Sequence, residues 1–147
     1  MAGRFEGTTV IDRPIEEVFA YLADGTNDLK FSPRVQEIAK ATDGPTGVGT
    51  VYKSTVKDAG MTTKREFKIT EFEQPTKIRW AEVSKNQVTA PEGGYDLAPE
   101  GNGTRVTVYN VLEGHGIGKL FAPLALRSAR KGADQFAQSI KTAVEAS

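Results

Sequence analysis

The sequence predicts an α+β fold in which a curved antiparallel sheet grips one long C-terminal helix. Three observations predict it. Residues 117–144 repeat apolar positions at spacings of three, four or their sums: Leu120, Phe121, Leu124, Ala125, Phe136, Ile140 and Val144, with Ser128, Ala129, Gly132 and Ala133 between. Before them, residues 35–112 divide into short alternating segments separated by Gly, Pro, Asn and Asp. A short amphipathic helix stands ahead of that run. A helix as long as the last one cannot bury its stripe alone, so it needs a sheet to lie on. The short connections favour antiparallel strands, because a parallel pair needs a long crossover.

Each element has its own signal. Thr8-Thr9-Val10-Ile11 ends a first strand. Asp12 can cap the next helix, and Pro14 suits its first turn, where a missing N–H costs nothing. Ile15, Val18, Phe19 and Leu22 form its apolar stripe, and Asp24, Gly25, Asn27 and Asp28 end it. Leu29-Lys30-Phe31-Ser32-Pro33 fits either a short second helix or an ordered loop. Strands follow at 35–41 and 50–56, with a hairpin turn at Asp58-Ala59-Gly60. The next is 63–72, with Arg65, Phe67 and Ile69 on one face, and Gln74-Pro75 ends it. The segment 77–83 places Ile78 and Trp80 together. Val88 and the segment 95–98 mark a region interrupted by Pro91 and Gly93-Gly94. The turn 99–103 then feeds a last strand at 104–112. The total is six or seven strands in one domain spanning residues 1–147.

Composition narrows the function. Lys plus Arg and Asp plus Glu are 19 each, so the formal net charge is zero, which gives no reason to expect nucleic acid or an anionic membrane as the main partner and leaves room only for local patches. Cysteine is absent and His115 is the sole histidine, so a thiolate or imidazole metal site is not expected, nor is any cofactor. The first residues lack the apolar stretch of a signal peptide, and nothing approaches membrane-spanning length. The expectation is a cytoplasmic protein without stable membrane insertion, monomeric or weakly dimeric. Gly114, Gly116 and Gly118 do not form a nucleotide-binding GxGxxG and suit a tight strand-to-helix junction instead.

Two-residue periodicity says what faces the helix. If Val106, Val108 and Leu112 point inward, Asn110 does too. The same parity turns Tyr52 and Ser54, Phe67, Trp80 and Glu82, and Tyr95 toward the interior. Phe121 and Ser128 are taken as the contribution of the long helix. This set is apolar with a few hydrogen-bonding groups, the mixture a small-molecule pocket needs. The aromatics equally suit an ordinary core, and Glu82 equally suits a strand end. An amide in mid-strand on an apolar face, as at Asn110, requires partners. No base–nucleophile pair accompanies His115, and Arg127, Arg130 and Lys131 fit a solvated helix face.

Residues 11–24, Ile-Asp-Arg-Pro-Ile-Glu-Glu-Val-Phe-Ala-Tyr-Leu-Ala-Asp, followed by Phe31-Ser32-Pro33-Arg34-Val35, resemble the opening of the polyketide cyclase/dehydrase and lipid-transport family, within the SRPBCC (START/Bet v 1-like) superfamily. Residues 47–52 and the late hairpin 95–107 resemble the same family. The resemblance implies a helix-grip fold: a seven-stranded curved antiparallel sheet around a C-terminal helix, two short helices after the first strand, and a hydrophobic cavity between. Phe31 stands where many members carry tryptophan. The implied function is binding of a lipid, sterol or polyketide-like molecule. The alternatives are aromatase/cyclase chemistry, assisted by Tyr52, Tyr95 or Glu82, and an interaction or stress-response module with a closed core.

Overall fold

The computed structural model describes residues 2–58 and 60–147. Its described residues form one seven-stranded sheet, every neighbouring pair antiparallel, in the order β1-β7-β6-β5-β4-β3-β2. The strands are β1 (Ala2–Ile11), β2 (Val35–Lys40), β3 (Val51–Asp58), β4 (Met61–Glu73), β5 (Lys77–Glu82), β6 (Val88–Glu100) and β7 (Gly103–Gly114). Helix α1 (Ile15–Ala23) and a 3₁₀ helix (Gly25–Lys30) carry the chain from one sheet edge to the other. Helix α2 (Gly118–Glu145) completes the helix-grip arrangement that the sequence implied. Ala59, in the expected β3–β4 turn, lies outside the described residues.

Four local expectations are corrected. Asp12 does not cap α1. Pro14 holds the N-cap position without a side-chain bond, and the Asp12 N–H instead donates to Glu145 Oε2 at 2.8 Å. Helix α1 ends where expected, at Ala23, but the short second helix offered at residues 29–33 lies instead at Gly25–Lys30, because Asp24 caps it by accepting from Thr26 N at 3.0 Å and Thr26 Oγ1 at 2.6 Å. Strand β6 is not interrupted. Pro91 falls in an irregularity between Thr89 and Glu92, where no ladder bond is demanded of its missing N–H.

The fourth correction concerns α2. Its sheet-facing stripe is Gly118, Ala122, Ala133, Ala137, Ile140 and Val144, small at first and branched only in the last turns. Leu120 and Leu124 sit two residues either side of Ala122, which on a 3.6-residue helix is the opposite face, and both are exposed with Phe121. The physical reason is the closeness of β1. A Cβ on Gly7 would lie 2.2 Å from the Ala133 carbonyl oxygen, and one on Gly3 would lie 2.1 Å from Leu126 Cδ2. β1 makes room with glycine at both places, the Ala133 backbone sitting over Gly7 and the half-buried Leu126 over Gly3, so Leu126 turns toward β1 while Leu120 and Leu124 turn outward.

The solid core therefore lies toward the C-terminal half of α2. Ile140 and Val144 pack with Val18, Phe19 and Leu22 of α1 and with Ile78, Leu97, Val106 and Val108 of the sheet. Phe19 meets Phe72 edge-on at 5.1 Å between ring centres. Burial of each such side chain contributes about 1.5–3 kcal/mol. On the outer face, Tyr109 is buried between the guanidinium groups of Arg4 and Arg79 and donates to Glu92 Oε2 at 2.6 Å.

Candidate functional site

Away from that core, the inward face of the sheet is only half covered. Ser54, Phe67, Trp80, Asn110 and Leu112 share the inward parity of Ile69 and Val108, yet each is half-buried. Trp80 and Asn110 are joined across β6, with Nε1–H donating to Asn110 Oδ1 at 2.9 Å. Gly93 lies between them in the ladder, opposite both residues. A Cβ on Gly93 would lie 2.0 Å from that oxygen and 2.3 Å from the indole nitrogen. The glycine that looked like a strand breaker is the opening through which the two side chains meet. Asn110 keeps its amide N–H donors for another partner. Trp80 also stands edge-on to Tyr95, ring centres 5.0 Å apart.

Glu82 is not a loose strand end. Its side chain is 0% exposed and accepts four hydrogen bonds: Arg65 Nη1 (2.8 Å) and Ala90 N (2.8 Å) on Oε1, Ser84 Oγ (2.7 Å) and Asn86 Nδ2 (2.9 Å) on Oε2. These four bonds occupy the acceptor positions of the carboxylate. Its effect is to hold Arg65, which also donates to the Val88 carbonyl at 3.2 Å and keeps 24% of its side chain accessible. Arg65 was legible as inward-facing by parity, but its partner was not.

A second polar group gathers where α1 meets the 3₁₀ helix. The Tyr21 hydroxyl is buried without a hydrogen-bond partner among the described residues. Asp28, half-buried, has its pKa pushed up to about 7, chiefly by desolvation and then by the nearby charge of Asp24. Burial first, then the charge of Asp28, raises the Tyr21 phenol; burial, Asp28 and Tyr21 raise that of Tyr95 well above its ordinary value. Below about pH 7 this corner presents neutral donors. Sequence reasoning missed Tyr21 and Asp28, because one lies on a helix and the other in what read as a terminating turn. Tyr21 also lines the larger concavity, an open groove of about 850 Å³ between residues 29–33 and the C-terminal half of α2, with Phe31, Gln135, Ser139 and Thr142. That groove contains none of the side chains the sequence singled out for a site, and the inward sheet face carries the convergent chemistry.

The remaining expected site residues are dispersed. Tyr52 is buried, its hydroxyl 2.6 Å from Thr46 Oγ1 and 3.4 Å from the Ala23 carbonyl, which ties β3 to the end of α1. Phe121 and Ser128 are exposed on α2, off its buried stripe, and do not join the inward set. His115 Nε2 lies 2.8 Å from Thr89 Oγ1 and 3.6 Å from Glu113 Oε1. Both partners meet the same ring nitrogen, whereas a hydrolytic relay needs the carboxylate on the other one. A smaller pocket of about 460 Å³ there is lined by His115, Thr89, Glu113 and Asn86, and among the expected site residues by Glu82. Among the described residues no group of three or more His, Asp or Glu is placed to hold a metal ion.

Comparison with known proteins bears on these observations. The chain's fold is similar to that of a protein from Thermus thermophilus (TM-score 0.81, 18% identity, 98% of each chain covered). It is also similar to the Zhui aromatase/cyclase from Streptomyces sp. R1128 (TM-score 0.79, 15% identity, 99% of this chain and 94% of that one). A START superfamily protein from Mycobacterium smegmatis is a third (TM-score 0.77, 15% identity, 97% of each). No curated protein sequence matches significantly. At such identities the structural likenesses speak to the fold alone. The family model described as polyketide cyclase / dehydrase and lipid transport matches residues 2–145, which is nearly the whole chain, and the protein therefore belongs to that family.

Proposed function

We propose that the protein binds a small hydrophobic ligand, of lipid, sterol or polyketide type, against the half-covered inward face of its sheet. The observation that carries this reading is the set Phe67, Trp80 and Asn110: large and of inward parity, yet only half-buried. A ligand covering about 200 Å² of apolar surface there would gain roughly 5 kcal/mol before the costs of association. The free amide donors of Asn110 would orient a carbonyl or hydroxyl oxygen. Family membership supports the same class of ligand. No helix among the described residues is long and apolar enough to cross a membrane. The ligand would be held within the protein.

The test is a paired titration, following Trp80 emission, with a polycyclic aromatic ketone and its parent hydrocarbon. Asn110→Ala should weaken the ketone about five- to tenfold, the worth of one hydrogen bond, and leave the hydrocarbon unchanged. Equal affinity of both variants for both probes would sink the proposal. One observation favours the aromatase/cyclase alternative: Arg65 is a cation held on the inward face by a buried carboxylate, suited to an enolate oxygen. Turnover of a polyketide-like substrate that is lost in Arg65→Gln, with binding retained, would select that reading.

A further inference from the structure

The bulky apolar residues turned outward on α2 form a surface the ligand reading does not use. Ile117 (57% exposed), Leu120 (73%), Phe121 (51%) and Leu124 (65%) recur at three- and four-residue spacings along one face of the N-terminal half of the helix. The β5–β6 loop adjoins this end, since His115 N donates to the Gln87 carbonyl at 2.7 Å. Charge on the same segment is one-sided. Between Glu113 and Asp134 the chain carries Lys119, Arg127, Arg130 and Lys131 and no carboxylate, although the whole protein is formally neutral. The first turn of α2 has no acidic residue and no side-chain cap, so the positive end of its helix dipole is uncompensated.

We propose that this half of α2 docks, reversibly and lying flat, on an anionic lipid bilayer surface. A helix that shows leucine and phenylalanine on one face and is flanked by Lys and Arg has the chemistry of an interfacial helix: acyl chains accept the apolar face and phosphate head groups accept the cations. The cation set decides against a second copy of this chain as the occupant. A two-fold contact would lay the patch on itself and bring like charges together. The inference is independent of what the interior binds.

The experiment is co-sedimentation of the full chain with phosphatidylcholine vesicles, with and without phosphatidylglycerol. Wild-type protein should pellet with the anionic vesicles and be released by raised salt. Leu120→Gln/Leu124→Gln should lose binding to both kinds of vesicle. Arg127→Gln/Lys131→Gln should lose the preference for anionic lipid, on the order of fivefold for each cation removed. All four positions are exposed, so the variants should melt as the wild type does. Wild-type protein that fails to pellet overturns the proposal, as does pelleting that survives both pairs of substitutions. Sedimentation equilibrium showing a dimer broken by Leu120→Gln, without vesicle binding, assigns the face to self-association and overturns it too.

Discussion

At Gly93 the backbone of β6 passes beneath a hydrogen bond between its two neighbouring strands, and a single methyl group would occupy the place of that bond. Gly93→Ala should therefore separate Trp80 from Asn110 and destabilise the fold by about 1–3 kcal/mol, measurable by urea unfolding, with a shift in Trp80 emission. Glu82→Gln should cost about 2–4 kcal/mol by the same measurement. It removes the charge that compensates Arg65 and replaces an acceptor oxygen with a donor facing donors, while the partial exposure of Arg65 limits the loss. An Arg65→Met/Glu82→Gln double variant that recovers none of that loss would show the pair to be uncoupled. The inward parity of Trp80 and Asn110 was legible because two-residue alternation needs only a sequence. The four donors around Glu82 were not, since Ser84, Asn86 and Ala90 come from a loop and an irregular strand whose path no alternation fixes.

The seam between β1 and α2 belongs to the scale of elements. Gly7→Ala directs a methyl group at the backbone of α2 rather than at a side chain that can rotate away, so the whole helix must shift. The expected cost is about 3 kcal/mol, read as a lowered urea midpoint. An unchanged midpoint would mean that the helix rides further from the sheet. The strands were legible and the face of the helix was not. Strand faces follow from alternation. For α2, hydrophobicity pointed to Leu120, Phe121 and Leu124, but the buried residues of that half are Gly118, against the Gln87 backbone, then Ala122 and Ala133, which carry little apolar signal. The 3₁₀ helix was hidden for a related reason: Asp24, Gly25 and Asn27 are turn formers by composition, and only the Asp24 cap makes them a helix.

At the scale of the whole molecule, the raised pKa of Asp28 links stability to pH. An unfolded aspartate ionises near 4, whereas the folded one holds its proton to about 7. Across that interval the folded state binds more protons, so this residue's contribution falls as pH rises from about 4 to 7 and then levels. Asp28→Asn should flatten that segment of the stability–pH curve and be the more stable protein at pH 8, by about 1–2 kcal/mol given the water still reaching the half-buried side chain. A parallel curve for the variant would place the titration elsewhere. The strand order carries a different consequence. β1 pairs only with β7, in a register that matches Ala2 with Glu113, so the first strand made has no neighbour until the last has emerged. During synthesis β1 stays an unpaired edge while β2 to β6 are already able to zip together, and closure is the late, long-range step. Cellular yield of this protein should then depend on how well that waiting edge is shielded, and chaperone supply during translation should affect it more than the stability of the finished fold.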